Sequence, residues 1–193
     1  MLAVASAQVP ADERGWAFEL KLDGARVLYH AVGGTATIRS RTGRDLTGCL
    51  PELAELARVL DSVEVVLDGE LIVAHADGQP QFERVLQRLR ASSPALVRQL
   101  RRELPVTYMI FDVLWHRDYP TLTLPYLQRR ALLEQLRLTG PCWHTVDSFT
   151  SAHGGTGGGT GAALLAASRA YGLEGIVAKR TSPYRPGRSS RPG

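Results

Sequence analysis

Lysine is rare in this chain: of 23 basic residues, only Lys21 and Lys179 are lysines, and arginine fills the other positions. An arginine stays protonated and cannot act as an amine nucleophile, whereas a lysine that has lost its proton can. Both lysines stand in segments that set charges among apolar residues, ELKLDGAR at 19–26 and LEGIVAKR at 173–180. Two more segments share that pattern, LDGEL at 67–71 and YMIFD at 108–112. Charged groups on half-buried strands need partners or a ligand. Facing one cleft, these segments would gather a lysine, several carboxylates and the ring of Phe111, the makings of a nucleotide and metal site. A free lysine amine has a pKa of about 10.4. Nucleophilic attack near neutral pH therefore calls for burial, or for cations such as Arg26 or a metal, to favour the uncharged form.

The elements that would position these groups can be read from periodicity. From Trp16 the chain alternates, with Phe18, Leu20 and Leu22 on one face and Glu19, Lys21 and Asp23 on the other, which predicts a strand with one buried face. Asp23-Gly24 breaks it. Ala25 to Val32 and Thr35 to Arg41 read as two strands joined by the hairpin pair Gly33-Gly34. Pro51 to Leu60 reads as a helix that begins on a proline. Val63 to Ala74 is an apolar strand interrupted by Asp68, Gly69 and Glu70, with a turn over 76–80. Helices are predicted over 81–90, 94–103, 125–138 and 162–171, and strands over 106–115, 142–149 and 173–179. Strands come first, then strands and helices mixed. That order predicts an α+β fold with largely antiparallel sheets and flanking helices. One domain is expected over 16–181, between a lead-in at 1–15 and a disordered tail at 182–193 rich in Pro, Gly, Ser and Arg.

At this point the residues resemble a known family. ELKLDGAR resembles motif I (KxDGxR) of the covalent nucleotidyltransferases, which include ATP-dependent DNA ligases, RNA ligases and mRNA capping enzymes. LDGELIV resembles their motif III, YMIFDVLW their motif IIIa and LEGIVAKR their motif IV, in the family's order. The wording EGIVAKR followed by SPYRPGR is most similar to bacterial ATP-dependent DNA ligase domains. The resemblance implies a ligase (ATP-grasp-like) nucleotidyltransferase core that uses ATP with Mg²⁺ or Mn²⁺. It would act on nicked or broken duplex DNA in repair or recombination. It makes Lys21 the nucleophile that takes AMP. It places Glu19 near the adenine, Arg26 at ribose or phosphate, Arg41, in a Ser-Arg pair resembling a phosphate-contacting motif, at a phosphate, Glu70 on the ribose hydroxyls and Phe111 on the adenine face. Glu174 becomes the metal ligand, and Lys179 reaches for a phosphate, although strict alternation puts it out of phase with Glu174. Asp112 reads as a structural carboxylate. The family also carries a motif V resembling WLKVK and an oligonucleotide-binding (OB) domain. This chain has no lysine after Lys179, so it is read as truncated before both and limited to self-adenylation or completed by a separate OB-type or repair partner. An RNA ligase, a capping-type enzyme and a binding module without turnover stay open as alternatives.

The remaining features narrow the class. No apolar run is long enough for a membrane span, and the first residues lack a basic signal-peptide region, so a cytoplasmic protein is expected. Cys49 and Cys142 lie far apart and suggest neither a disulfide framework nor a zinc site. His30, His75, His116, His144 and His153 show no ligand spacing. A net charge of +4 permits nucleic-acid binding without requiring it. The run GGTGGGTG at 154–161 is followed by no GK[ST], so it reads as a flexible loop and not as a phosphate-binding one.

Overall fold

The computed structural model describes residues 3–74, 79–151 and 159–186. The turn expected at 76–80, the glycine-rich run and the tail therefore lie largely outside the described residues. The first strands are β1 (Trp16–Leu20), β2 (Ala25–Val32) and β3 (Thr35–Ser40). Two 3₁₀ turns, Thr47–Cys49 and Pro51–Leu53, lead into α1 (Ala54–Val59), so the helix expected from Pro51 is tightened over its first turn. Then come β4 (Val65–Ile72), α2 (Phe82–Leu89), α3 (Pro94–Glu103), β5 (Thr107–His116) and β6 (Tyr119–Pro120). The chain finishes with α4 (Tyr126–Gln135), β7 (Thr139–Gly140), β8 (Trp143–Thr145), β9 (Phe149–Thr150), α5 (Thr160–Ala170) and β10 (Ile176–Arg180).

These strands form two sheets. The larger runs β3-β2-β4-β5-β8-β7, with β6 folded back on β5, and all its pairs are antiparallel except β5 with β8. The smaller runs β10-β1-β9 and is antiparallel throughout. The fold is thus α+β with largely antiparallel sheets, as expected.

Period-two alternation decides which side chains face which layer. Val27, Tyr29 and Ala31 of β2, with Leu67 and Leu71 of β4, are buried against Leu56 of α1, Val85 of α2 and Leu100 of α3. Each large apolar side chain buried this way contributes about 1.5–3 kcal/mol. The buried Tyr29 hydroxyl donates to the Leu53 carbonyl at 2.7 Å, so the core carries that polar atom without loss. Arg26 and Glu70, paired across β2 and β4, point the other way, towards the smaller sheet.

Three expectations change. Asp68-Gly69 lies inside β4, where a register shift against β5 carries the chain through without breaking the strand. The strand expected over 142–149 divides: β8 stays in the larger sheet, and β9 crosses to pair with β1. Strand β1 has no polar outer face, because Phe18 is packed towards α5 and Glu19, only 2% exposed, faces the other sheet.

Candidate active site

Between the two sheets lies a cavity of about 380 Å³. Its walls come from β1 and the turn after it, from β2, β4, β5 and β10, and from α4. Lys21, Glu19, Arg26, Glu70, Phe111, Glu174 and Lys179 all line it. Arg41 does not. It follows β3 in an exposed turn closed by Ser40 N–H to Arg44 carbonyl (2.9 Å), outside the cavity wall.

Lys21 stands where β1 ends. Its backbone N–H donates to Gly175 at 2.9 Å, which ties the nucleophile's segment to the start of β10. Gly175 has φ 143°, a conformation that a side chain would strain. That turn ahead of β10 resets the alternation, so Glu174 and Lys179 reach the same cavity despite their expected mismatch in phase. The ammonium of Lys21 is paired with the carboxylate of Glu174, their side chains 41% and 49% exposed. On the other side of Lys21, Gly24 packs so tightly on β4 that an added Cβ would lie 2.2 Å from the Leu71 carbonyl oxygen. The glycine of the KLDG segment is thereby explained by close approach.

The cavity floor is held by a different set of contacts. Glu19 receives the ammonium of Lys179 at 2.6 Å on one oxygen and the hydroxyl of Tyr126 on the other. The Lys179 Nζ also lies 4.5 Å from the centroid of Phe111 and 4.9 Å from that of Tyr126, which gives the cation two aromatic faces. Burial, then the charge of Glu19 beside it, pushes the Tyr126 phenol well above its ordinary value, so it stays a donor.

A third set lies along the larger sheet. Arg26 donates to Asp68 through Nε at 2.8 Å and through Nη2, in the bidentate geometry that matches a guanidinium to a carboxylate. Burial opposes the Arg26 charge, and the Asp68 pair outweighs it, holding the guanidinium above its ordinary value. The hydroxyl of Tyr184 accepts from Arg26 at 2.9 Å and donates to Asp68 at 3.0 Å. Burial lifts the carboxyl of Glu70 to about 7, against the pull of Arg26. Behind Phe111, Asp112 is paired in bidentate fashion with Arg129 at 2.8 and 2.9 Å.

Tyr126, Arg129 and Tyr184 are site residues that the sequence does not mark, nor does it assign a role to the Asp68 side chain. Asp68 carried a signal, a carboxylate inside an apolar run. Tyr126 and Arg129 read as ordinary residues of an amphipathic helix, and Tyr184 sits in a segment whose composition reads as tail.

A lysine at the mouth of a nucleotide-sized cavity between two largely antiparallel sheets is the architecture of a ligase-type nucleotidyltransferase domain. The chain belongs to the ATP-dependent DNA ligase domain family, whose model matches residues 1–192. It is 38% identical over 174 residues to the multifunctional non-homologous end joining DNA repair protein LigD of Mycobacterium tuberculosis, covering 90% of this chain and 20% of that protein. It is 36% identical over 174 residues to a probable DNA ligase of Mycobacterium marinum, covering 89% of this chain and 32% of that one. The chain therefore spans about a fifth to a third of the length of these relatives. Among solved structures, a mycobacterial DNA ligase D complexed with ATP and MES superposes with a TM-score of 0.79 at 33% identity, over 98% of this chain and 56% of that one.

Proposed function

We propose that this chain is the adenylating core of an ATP-dependent DNA ligase and that Lys21 carries AMP between ATP and a DNA 5′-phosphate. The observation that carries the reading is the position of Lys21 at the mouth of a cavity that also holds Glu70, Phe111 and Arg26. Its volume, about 380 Å³, is within the range of small-molecule sites, about 300–1,000 Å³.

In this reading the uncharged amine of Lys21 attacks the α-phosphorus of ATP. A nitrogen–phosphorus bond forms, the bond to pyrophosphate breaks, and the amine gives up its proton. The pair with Glu174 must loosen first, because a protonated amine has no electron pair to offer. The 5′-phosphate of DNA then attacks the same phosphorus, the nitrogen–phosphorus bond breaks, and the lysine nitrogen takes up a proton and leaves as an amine. Finally the neighbouring 3′-hydroxyl attacks the activated 5′-phosphate and expels AMP.

The other side chains divide the work of holding the nucleotide. Phe111 offers a ring face to the adenine, and Glu19 lies close by. Glu70 meets the ribose hydroxyls, Arg26 the ribose or phosphate, and Lys179 supplies a second cation. Arg41, outside the cavity, is left for phosphates of the polynucleotide. Glu174 would hold Mg²⁺ or Mn²⁺. A single accessible carboxylate suits such an ion, which completes its shell with phosphate oxygens and water. When bound, the ion supplies positive charge against the phosphates.

The test uses the full chain with α-labelled ATP, Mg²⁺ and a duplex carrying one nick. The expected result is label that appears on the protein, passes to the 5′-phosphate at the nick and leaves as AMP when the strand is joined. Stable labelling that never discharges to DNA, or preferential labelling by GTP, would contradict DNA ligation.

A further inference from the structure

The segment just after β10 returns to the larger sheet, and one residue makes the connection. Tyr184 bonds through its backbone N–H to the Leu122 carbonyl at 2.8 Å. Its ring lies under the guanidinium of Arg129, 5.6 Å from the centroid. Its hydroxyl reaches Arg26 at 2.9 Å and Asp68 at 3.0 Å. Asp68 is fully buried, while Arg26, Arg129 and Tyr184 all line the cavity, and Arg26 also lies over the ring of Phe111, 5.5 Å from its centroid. A guanidinium carries five donors in a rigid fork. Asp68 fixes the fork along two of them, and Tyr184 fixes it along a third direction.

We propose that Tyr184 is a positioning residue for nucleotide binding, acting through Arg26 by holding its guanidinium towards the ribose and phosphates. The proposal rests on the reading of the cavity as an ATP site. It assigns to the segment beyond the last strand a share in building that site, which neither strand periodicity nor composition indicates.

The experiment is a double-mutant cycle on the full chain with four proteins: wild type, Tyr184→Phe, Arg26→Met and the double variant. The first readout is the rate of self-adenylation against ATP concentration. Tyr184→Phe keeps the ring and its stacking on Arg129 and removes only the hydroxyl. The expected result is a half-saturating ATP concentration raised about tenfold, the size of one hydrogen bond to a charged group, with a smaller change in maximal rate. In the Arg26→Met background the same change has no further effect. An unaltered ATP dependence in Tyr184→Phe, or an effect that adds in full on top of Arg26→Met, would overturn the proposal. The second readout, equilibrium binding of ATP to the same four proteins, separates this proposal from the chemical reading. If wild type binds ATP without becoming labelled, the adenylation reading fails, and the binding cycle still decides the role of Tyr184. If wild type binds no ATP, both fall.

Discussion

Glu70 lines the cavity from β4, and burial alters its titration. Burial lifts it from its ordinary 4.5 to about 7, so between those values the folded chain holds a proton that the unfolded chain has released. Stability contributed by this group therefore falls as pH rises through that window. Glu70→Gln removes the titration. The melting midpoint of the variant should fall less than that of wild type between about pH 5 and about pH 8, and equal slopes would contradict the burial described here. At this scale the sequence was informative wherever a charge interrupts an apolar strand. Glu19, Lys21, Arg26, Glu70 and Lys179 stood out for that reason and all line the cavity. Tyr126 and Tyr184 did not stand out, because an aromatic residue on a helix or in a Pro-rich segment carries no local sign of which carboxylate its hydroxyl will meet.

The elements hold these residues in place partly through a buried ion pair away from the cavity wall. Arg88 of α2, fully buried, donates through Nη2 to both oxygens of Glu52 at 2.9 Å and through Nη1 to the Cys49 carbonyl. Glu52 lies in the 3₁₀ turn before α1, so the pair fastens two helices beneath the larger sheet. Removing one partner leaves the other charge buried and uncompensated. Arg88→Ala should lower unfolding stability by about 3–5 kcal/mol in urea, and a loss below about 1 kcal/mol would contradict the pairing. Helix α3 was fully legible, since Pro94 occupies its first turn and the side chain of Ser93 accepts from the Leu96 N–H at 3.2 Å. The separation of β8 from β9 was not. Over so short an apolar run, alternation reports faces but not the sheet to which a strand belongs, and pairing with β1 is a tertiary choice.

At the scale of the whole molecule, the cavity exists because the two ends of the domain meet. Strand β1 pairs with β10, Trp16 opposite Arg180 and Leu20 opposite Ile176, and this brings Lys21 beside Glu174. The smaller sheet then faces Arg26, Glu70 and Phe111 of the larger one. Motif order along the chain implied a common site, while the sheet order that assembles it depends on long-range pairing that no local pattern encodes. The same geometry opens the role of Lys21 as nucleophile to direct test, because the chain's two lysines, Lys21 and Lys179, share one cavity. The deciding measurement is peptide mapping by mass spectrometry, at neutral to alkaline pH, after incubation with ATP and Mg²⁺ and beside Lys21→Ala. AMP is expected on the peptide that contains Lys21, with none on the peptide that contains Lys179 and none on the variant. AMP on Lys179, AMP retained by Lys21→Ala, or no adduct on a folded wild-type chain would contradict that role.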